Sequence, residues 1–134
     1  MEKKIENFLY EDLSYKIRGC IFKVYNALGF GHKENVYQKA LASEFTKEEV
    51  NFEREKVLPV FYNDQKVGTY KPDFIIDKKI IVEIKAIPAM AKNYETQLTY
   101  YLKGTNYKLG FLVNFGGERV DIRRRVWSNQ RKSA

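Results

Sequence analysis

The sequence predicts an α/β fold of the α+β kind, with helices flanking a mixed central β-sheet. Three observations predict it: a helical beginning, a long run of strand patterns, and one further helix before two closing strands. Apolar residues recur every three or four positions in the helical parts and form short Ile- and Val-rich runs elsewhere. This order of elements is typical of a layered domain built around one sheet.

Three helices are predicted from the spacing of apolar residues. They span about residues 13–28, 33–49 and 89–103, and Gly104 is expected to stop the last one. The single cysteine, Cys20, falls on the apolar stripe of the first helix, which predicts a buried thiol and excludes a disulfide framework.

Strands are predicted where Val, Ile and aromatic residues cluster between turn residues. The predicted strands are residues 57–62, 66–70, 69–76, 80–87, 109–115 and 119–127. Residues 77–79 are polar and separate two of these runs, so we expect a β-hairpin there.

The most informative feature of the chain lies in that hairpin. A three-residue turn would set Ile76 opposite Ile80, so that Asp73 lies directly opposite Glu83. Lys85, two residues further along, shares their face of the sheet. Two carboxylates and one ammonium group are therefore expected to converge on one patch.

Two explanations of this patch remain open. Two close carboxylates repel each other, and a divalent cation would remove the repulsion; oxygen ligands suit a hard ion such as Mg²⁺. Lys85 beside the ion could then orient a water or stabilise charge on a phosphate. Alternatively, Lys85 bridges Asp73 and Glu83 as a structural ion pair.

Glu34 opens the second predicted helix. It precedes Tyr37 by three residues and Leu41 by seven, so we expect it on or beside the buried helical face. The other explanation is a favourable interaction with the helix dipole, which acidic residues in a first turn commonly make.

Size and charge limit the classes of function. The 134 residues predict one domain, with a core over about 13–127 and terminal extensions at 1–12 and 128–134. A net charge of +7, with ten tyrosines and nine phenylalanines, favours a polyanionic partner such as nucleic acid. No signal peptide and no membrane span are recognised, so we expect a cytoplasmic protein.

Four short motifs, in this order, resemble those of a known family. Gly31, Glu34 and Tyr37 have the spacing of the GxxExxY proteins, a compact branch of the PD-(D/E)XK nuclease superfamily. Pro72-Asp73 and the run Glu83-Ile84-Lys85 match the superfamily's catalytic motif, and Gln97 to Tyr101 resembles its QxxxY element. The resemblance covers about residues 13–127.

The resemblance implies a restriction-endonuclease-like core and a set of site residues. Glu34, Asp73 and Glu83 would be associated with Mg²⁺, or Mn²⁺ as a substitute, the Ile84 carbonyl would be a further ligand, and Lys85 would be the catalytic lysine. Gln97 and Tyr101 would flank the site, and Tyr37 is also expected to contact the substrate. From the residues alone, the favoured explanation is a solvated Gln97 and tyrosines that pack with their hydroxyls outward.

Arg123, Arg124 and Arg125 form a basic run near the end of the chain. They are expected either to contact the phosphate backbone of nucleic acid or to protect an edge strand from aggregation by their charge. The interpretation as a whole is a metal-dependent nuclease acting on nucleic acid, with DNA expected. A binding module that grips nucleic acid or protein without cleaving is the alternative, and pairing of two copies is left open.

Overall fold

The computed structural model describes residues 9–128. Its helices are α1 (Glu11–Leu28), α2 (Glu34–Lys47) and α3 (Lys92–Thr105). Its strands are β1 (Phe52–Arg54), β2 (Leu58–Tyr62), β3 (Gln65–Tyr70), β4 (Phe74–Ile76), β5 (Ile80–Lys85), β6 (Leu109–Asn114) and β7 (Asp121–Val126). No helix in this part of the chain is long and apolar enough to cross a membrane.

Five strands form a mixed sheet in the order β1-β4-β5-β6-β7, and β2 pairs with β3 in a separate two-stranded sheet. Only β5 and β6 run parallel within the five-stranded sheet. A parallel pair needs a crossover connection, and α3 provides it. The predicted mixed sheet flanked by helices is thereby confirmed.

The two faces of the sheet are covered by different helices, which explains the apolar sequence of β5. Ile80, Val82 and Ile84 pack with residues of α1 and α2, whereas Ile81 packs with residues of α3. A strand buried on both faces has apolar residues at nearly every position rather than at every second one. By this alternation, Glu83 and Lys85 lie on the α3 face.

The predicted hairpin register is confirmed: Ile76 pairs with Ile80, and the ladder continues to Phe74 and Val82. The prediction of one strand over 69–76 is wrong, because β3 ends at Tyr70 in the small sheet and β4 begins only at Phe74. Pro72 lies in the gap and has no backbone N–H to continue a ladder.

The predicted end of the third helix is also wrong. The helix α3 continues through Gly104 to Thr105, and Asn106 in the left-handed conformation (φ 64°) follows it. Gly104 serves packing instead, since a Cβ there would lie 2.8 Å from Cγ1 of Val60 on β2. Cys20 is buried as predicted, and burial raises the pKa of its thiol to about 11.

A buried amide secures the chain where it leaves β5. Asn114, which is 3% exposed, accepts hydrogen bonds at Oδ1 from the backbone N–H groups of Ile87 and Gly116, each at 3.0 Å. Its Nδ2 donates to the Ile87 carbonyl at 2.9 Å. The backbone N–H of Phe115 donates to the Lys85 carbonyl at 2.9 Å. The segment just after Lys85 is therefore held against the end of β6.

Gly116 is required for this contact, so replacing it should destabilise the protein. A Cβ at this position would lie 2.3 Å from both N and O of Ile87, and backbone atoms cannot move aside cheaply. We expect Gly116→Ala to lower the free energy of unfolding by about 2–4 kcal/mol in urea denaturation. The control is Gly19→Ala in α1, where a Cβ meets nothing within 4 Å; it should raise stability by up to about 1 kcal/mol. Equal effects of both substitutions would contradict the close contact.

Candidate functional site

Two hydrogen bonds, one to Glu83 and one from Ile84, tie Asp73 to β5 just beyond the last ladder pair of the hairpin. The Asp73 backbone N–H donates to Oε1 of Glu83 at 2.9 Å, and the Ile84 backbone N–H donates to Oδ2 of Asp73 at 2.6 Å. The side chains thus replace the backbone bonds that the strands no longer make. Each carboxylate is fixed in direction by the other strand.

Burial makes both carboxylates costly to ionise. It raises the pKa of Asp73, against the lowering effect of the hydrogen bond from Ile84 and of the nearby Lys85 charge. It raises the pKa of Glu83 to about 7, and the Asp73 charge adds to that effect. The two carboxylates therefore repel each other whenever both are ionised, and a bound cation would relieve this repulsion.

The Glu83 carboxylate lies beside Tyr70, which in turn contacts Tyr101 of α3. Tyr70 is 5% exposed, and its ring stacks on Tyr101 with centroids 3.8 Å apart and an interplanar angle of 5°. Its hydroxyl is buried beside the Glu83 carboxylate. Burial raises the pKa of this phenol, and the Glu83 charge raises it further. Tyr101 therefore contacts Tyr70, and its own role at the site stays a prediction.

Glu34 reaches the pair through an amide that sequence reasoning missed. Nε2 of Gln38 donates to Oδ1 of Asp73 at 3.0 Å and to Oε2 of Glu34 at 3.3 Å. Glu34 is exposed and so does not lie on the buried face of α2, but its bond to Gln38 keeps its carboxylate beside the site. Partial burial of its carboxylate, followed by the Asp73 charge, raises its pKa. The available signal was the spacing of four residues, which places Gln38 next to Glu34 on a helix.

Lys85 does not bridge the two acids. No ion pair among the described residues involves Lys85, Asp73 or Glu83. Nζ of Lys85 instead lies 4.8 Å from the ring centroid of Tyr94 on α3, within the range of a cation–π interaction. The structural ion pair, one of the two explanations of the patch, is therefore wrong.

Tyr37, expected at the substrate, is fully buried. Its hydroxyl donates to the Gly29 carbonyl at 2.5 Å and accepts from the His32 backbone N–H at 3.3 Å. Its ring stacks on Phe115 with centroids 4.5 Å apart. These contacts hold the loop between α1 and α2 and leave no surface for a substrate, so that expectation is corrected. Gln97 is exposed on α3, and its role stays a prediction.

The basic run is in large part neutralised. Arg123 binds Asp121 at 2.8 Å and also pairs with Glu95 of α3, and Arg125 pairs with the other Glu95 oxygen. These bonds tie the edge strand β7 to α3. Contact of Arg123 and Arg125 with a phosphate backbone stays a prediction. Arg124 lies on the opposite face of β7 and lines a cavity beside α1. Two more basic residues, Arg131 and Lys132, follow this run in the sequence and lie outside the described residues.

The donor set of the site fits a hard divalent cation in its chemistry. Mg²⁺ is commonly held by one or two carboxylates with water completing its shell, and Asp73 and Glu83 supply two oriented carboxylates of raised pKa. A ready three-carboxylate cluster is not formed: across residues 9–128, no group of three His, Cys, Asp or Glu residues is arranged to hold a metal. The Gln38 amide lies between Glu34 and Asp73 instead.

Comparisons with known proteins point in the same direction as the geometry. A family model described as the PD-(D/E)XK nuclease superfamily matches residues 11–126, which include every helix and strand described above. The crystal structure of the protein SSO0001 is similar with a TM-score of 0.50 and 20% sequence identity, over 74% of this chain and 52% of that chain. This second similarity concerns the fold alone. No curated protein matches the chain.

Removing the charge of Glu83 should stabilise the metal-free protein. Because its pKa rises from 4.5 unfolded to about 7 folded, its ionisation disfavours folding as pH rises through that window, and the cost persists above it. Glu83→Gln keeps Oε1 as an acceptor for the Asp73 N–H. We expect it to be more stable than the wild type by about 2 kcal/mol near pH 8 in EDTA, with the difference vanishing near pH 4.

Thermal unfolding across that pH range measures this effect. The matched control is Glu118→Gln, in the exposed turn before β7, for which no such pH dependence is expected. A Glu83→Gln stability gain that is independent of pH would contradict a charge effect and indicate altered packing.

Proposed function

The chain belongs to the PD-(D/E)XK nuclease superfamily, and from that premise we propose that it is a metal-dependent nuclease that hydrolyses phosphodiester bonds of DNA. Its five-stranded mixed sheet with flanking helices is the nuclease-like core of that superfamily. Members of the superfamily generally use divalent metal ions and act on nucleic acid. We further propose that it belongs to the GxxExxY branch, whose motif residues are Gly31, Glu34 and Tyr37.

The main support for the proposal is the arrangement of the motif. Hydrogen bonds orient the carboxylates of Asp73 and Glu83, whose pKa values are raised, while the Lys85 ammonium contacts the Tyr94 ring and forms no ion pair with either among the described residues. A structural role would pair Lys85 with Asp73 or Glu83, because a buried charge is most cheaply compensated by its nearest opposite charge. The arrangement leaves the acids for a cation and the ammonium for another anionic group.

In this proposal Asp73 and Glu83 supply the oxygen donors for Mg²⁺, with Mn²⁺ as a substitute. When bound, the ion would polarise the phosphate and lower the pKa of an attacking water. The Ile84 carbonyl is a candidate further donor, since its own N–H already holds Asp73. Glu34 would join the acidic group by replacing its hydrogen bond from Gln38.

Lys85 would act on the substrate rather than on the acids. Its ammonium, half-buried on the α3 face, can donate to a phosphate oxygen or to the attacking water and so stabilise charge that develops in the transition state. Gln97 and Tyr101, on the same helix as Tyr94, are proposed to border the scissile phosphate. Contact of the basic run, Arg123 to Arg125, with the phosphate backbone of the substrate is a further part of the proposal.

Cleavage assays with paired variants test the activity. Single-stranded, duplex and branched DNA and RNA are incubated with Mg²⁺, Mn²⁺ or EDTA. We expect cleavage of DNA that requires metal and that falls at least about a hundredfold in Lys85→Met and in Asp73→Asn, since each removes a group stabilising the transition state.

The controls change the same residue types outside the site. Lys79→Met and Asp77→Asn alter the turn of the same hairpin, where the two side chains form an exposed ion pair at 3.6 Å, and both should cleave like the wild type. Metal-independent cleavage that survives in the site variants would overturn the nuclease proposal. Tight DNA binding without any cleavage would support the binding module instead.

A further inference from the structure

The position of Lys85 is the least expected feature of the site. Its ammonium shares one face of β5 with the Glu83 carboxylate, and two buried acids compete for any nearby cation. It is nevertheless found 4.8 Å from the centroid of the Tyr94 ring, and it forms no ion pair with any of residues 9–128. Some feature of the surroundings must hold it there.

Tyr94 is placed by the fold rather than by the lysine. It lies in the first turn of α3, and its backbone N–H donates to the Ala91 carbonyl at 3.2 Å. One turn further along, Leu98 is 2% exposed and packs in the cluster beneath α3, to whose edge Tyr94 itself belongs. The face of the ring is therefore a fixed, negatively polarised surface, which attracts a cation although the ring carries no net charge.

We infer that Tyr94 is a positioning residue that keeps the Lys85 ammonium away from Asp73 and Glu83. The inference rests on the proposed nuclease function and adds a residue outside the motifs that predicted it. With the ring present, the acids stay available to the metal ion and the ammonium stays directed towards the substrate. Without the ring, the ammonium would turn to the carboxylates and compete with the metal ion for them.

Nuclear magnetic resonance of the metal-free protein tests the placement directly. A lysine held over an aromatic face has upfield-shifted side-chain resonances, and we expect this shift at the Lys85 ε-methylene in the wild type and in Tyr94→Phe. It should disappear in Tyr94→Leu, which keeps an apolar side chain but removes the ring. Tyr100→Leu is the matched control, since Tyr100 lies on the same helix and is 68% exposed.

A double-mutant cycle tests the competition with the metal. Magnesium binding is measured by calorimetry for the wild type, Tyr94→Leu, Lys85→Met and the double variant. Tyr94→Leu should weaken binding by roughly five- to tenfold when Lys85 is present, and by less than about twofold in the Lys85→Met background. A purely structural role of Tyr94 would weaken binding equally in both backgrounds, which would overturn the inference.

Kinetics complete the test. We expect kcat of Tyr94→Leu to fall roughly tenfold with KM for DNA little changed, whereas Tyr94→Phe and Tyr100→Leu stay within about twofold of the wild type. A Phe variant as impaired as the Leu variant would overturn the inference and point to the hydroxyl. If the wild type cleaves nothing, the proposed function fails, but the resonance shift still supports or overturns the placement of the lysine.

Discussion

The two hydrogen bonds between Asp73 and β5 are the interaction on which the candidate site depends. The Asp73 N–H donates to the Glu83 carboxylate, and the Ile84 N–H donates to the Asp73 carboxylate, where the β4–β5 ladder ends. Each carboxylate therefore accepts a backbone N–H of the facing segment, and Gln38 of α2 adds a bond to Asp73. The cost is that two half-buried acids of raised pKa are held close together.

The rest of the site is assembled around this pair from elements on both faces of the sheet. From one side α2 contributes Glu34 and Gln38, and from the other α3 contributes Tyr94 and Tyr101. The sheet itself is too well covered to offer a binding surface at its centre, because β5 is apolar on both faces. The polar site therefore lies at the end of β5, beyond the last ladder pair between β4 and β5.

Local patterns in the sequence were sufficient to predict the hairpin register, the pairing of Asp73 with Glu83 and the mixed sheet, because each depends on turn length or periodicity alone. Contacts between distant elements were beyond such reasoning: Gln38 bridging two acids, Asn114 clamping the exit of β5, and the ring beneath Lys85. The ion pairs of Arg123 and Arg125 were beyond such reasoning for the same reason, since their partner Glu95 lies on α3. Single-domain organisation over 1–134, a cytoplasmic location and pairing of two copies stay predictions.

The parallel pairing of β5 with β6 has a consequence for how the protein reaches its native state. The carboxylate pair belongs to a hairpin and can form as soon as its own short stretch of chain collapses. The contact between Lys85 and Asn114 cannot form this early, because β6 follows α3 in the chain. Contacts between residues far apart in sequence form slowly. During synthesis, Asp73 and Glu83 are thus expected to come together before α3 and β6 have been made. The complete site should form only when these later elements have packed against the hairpin.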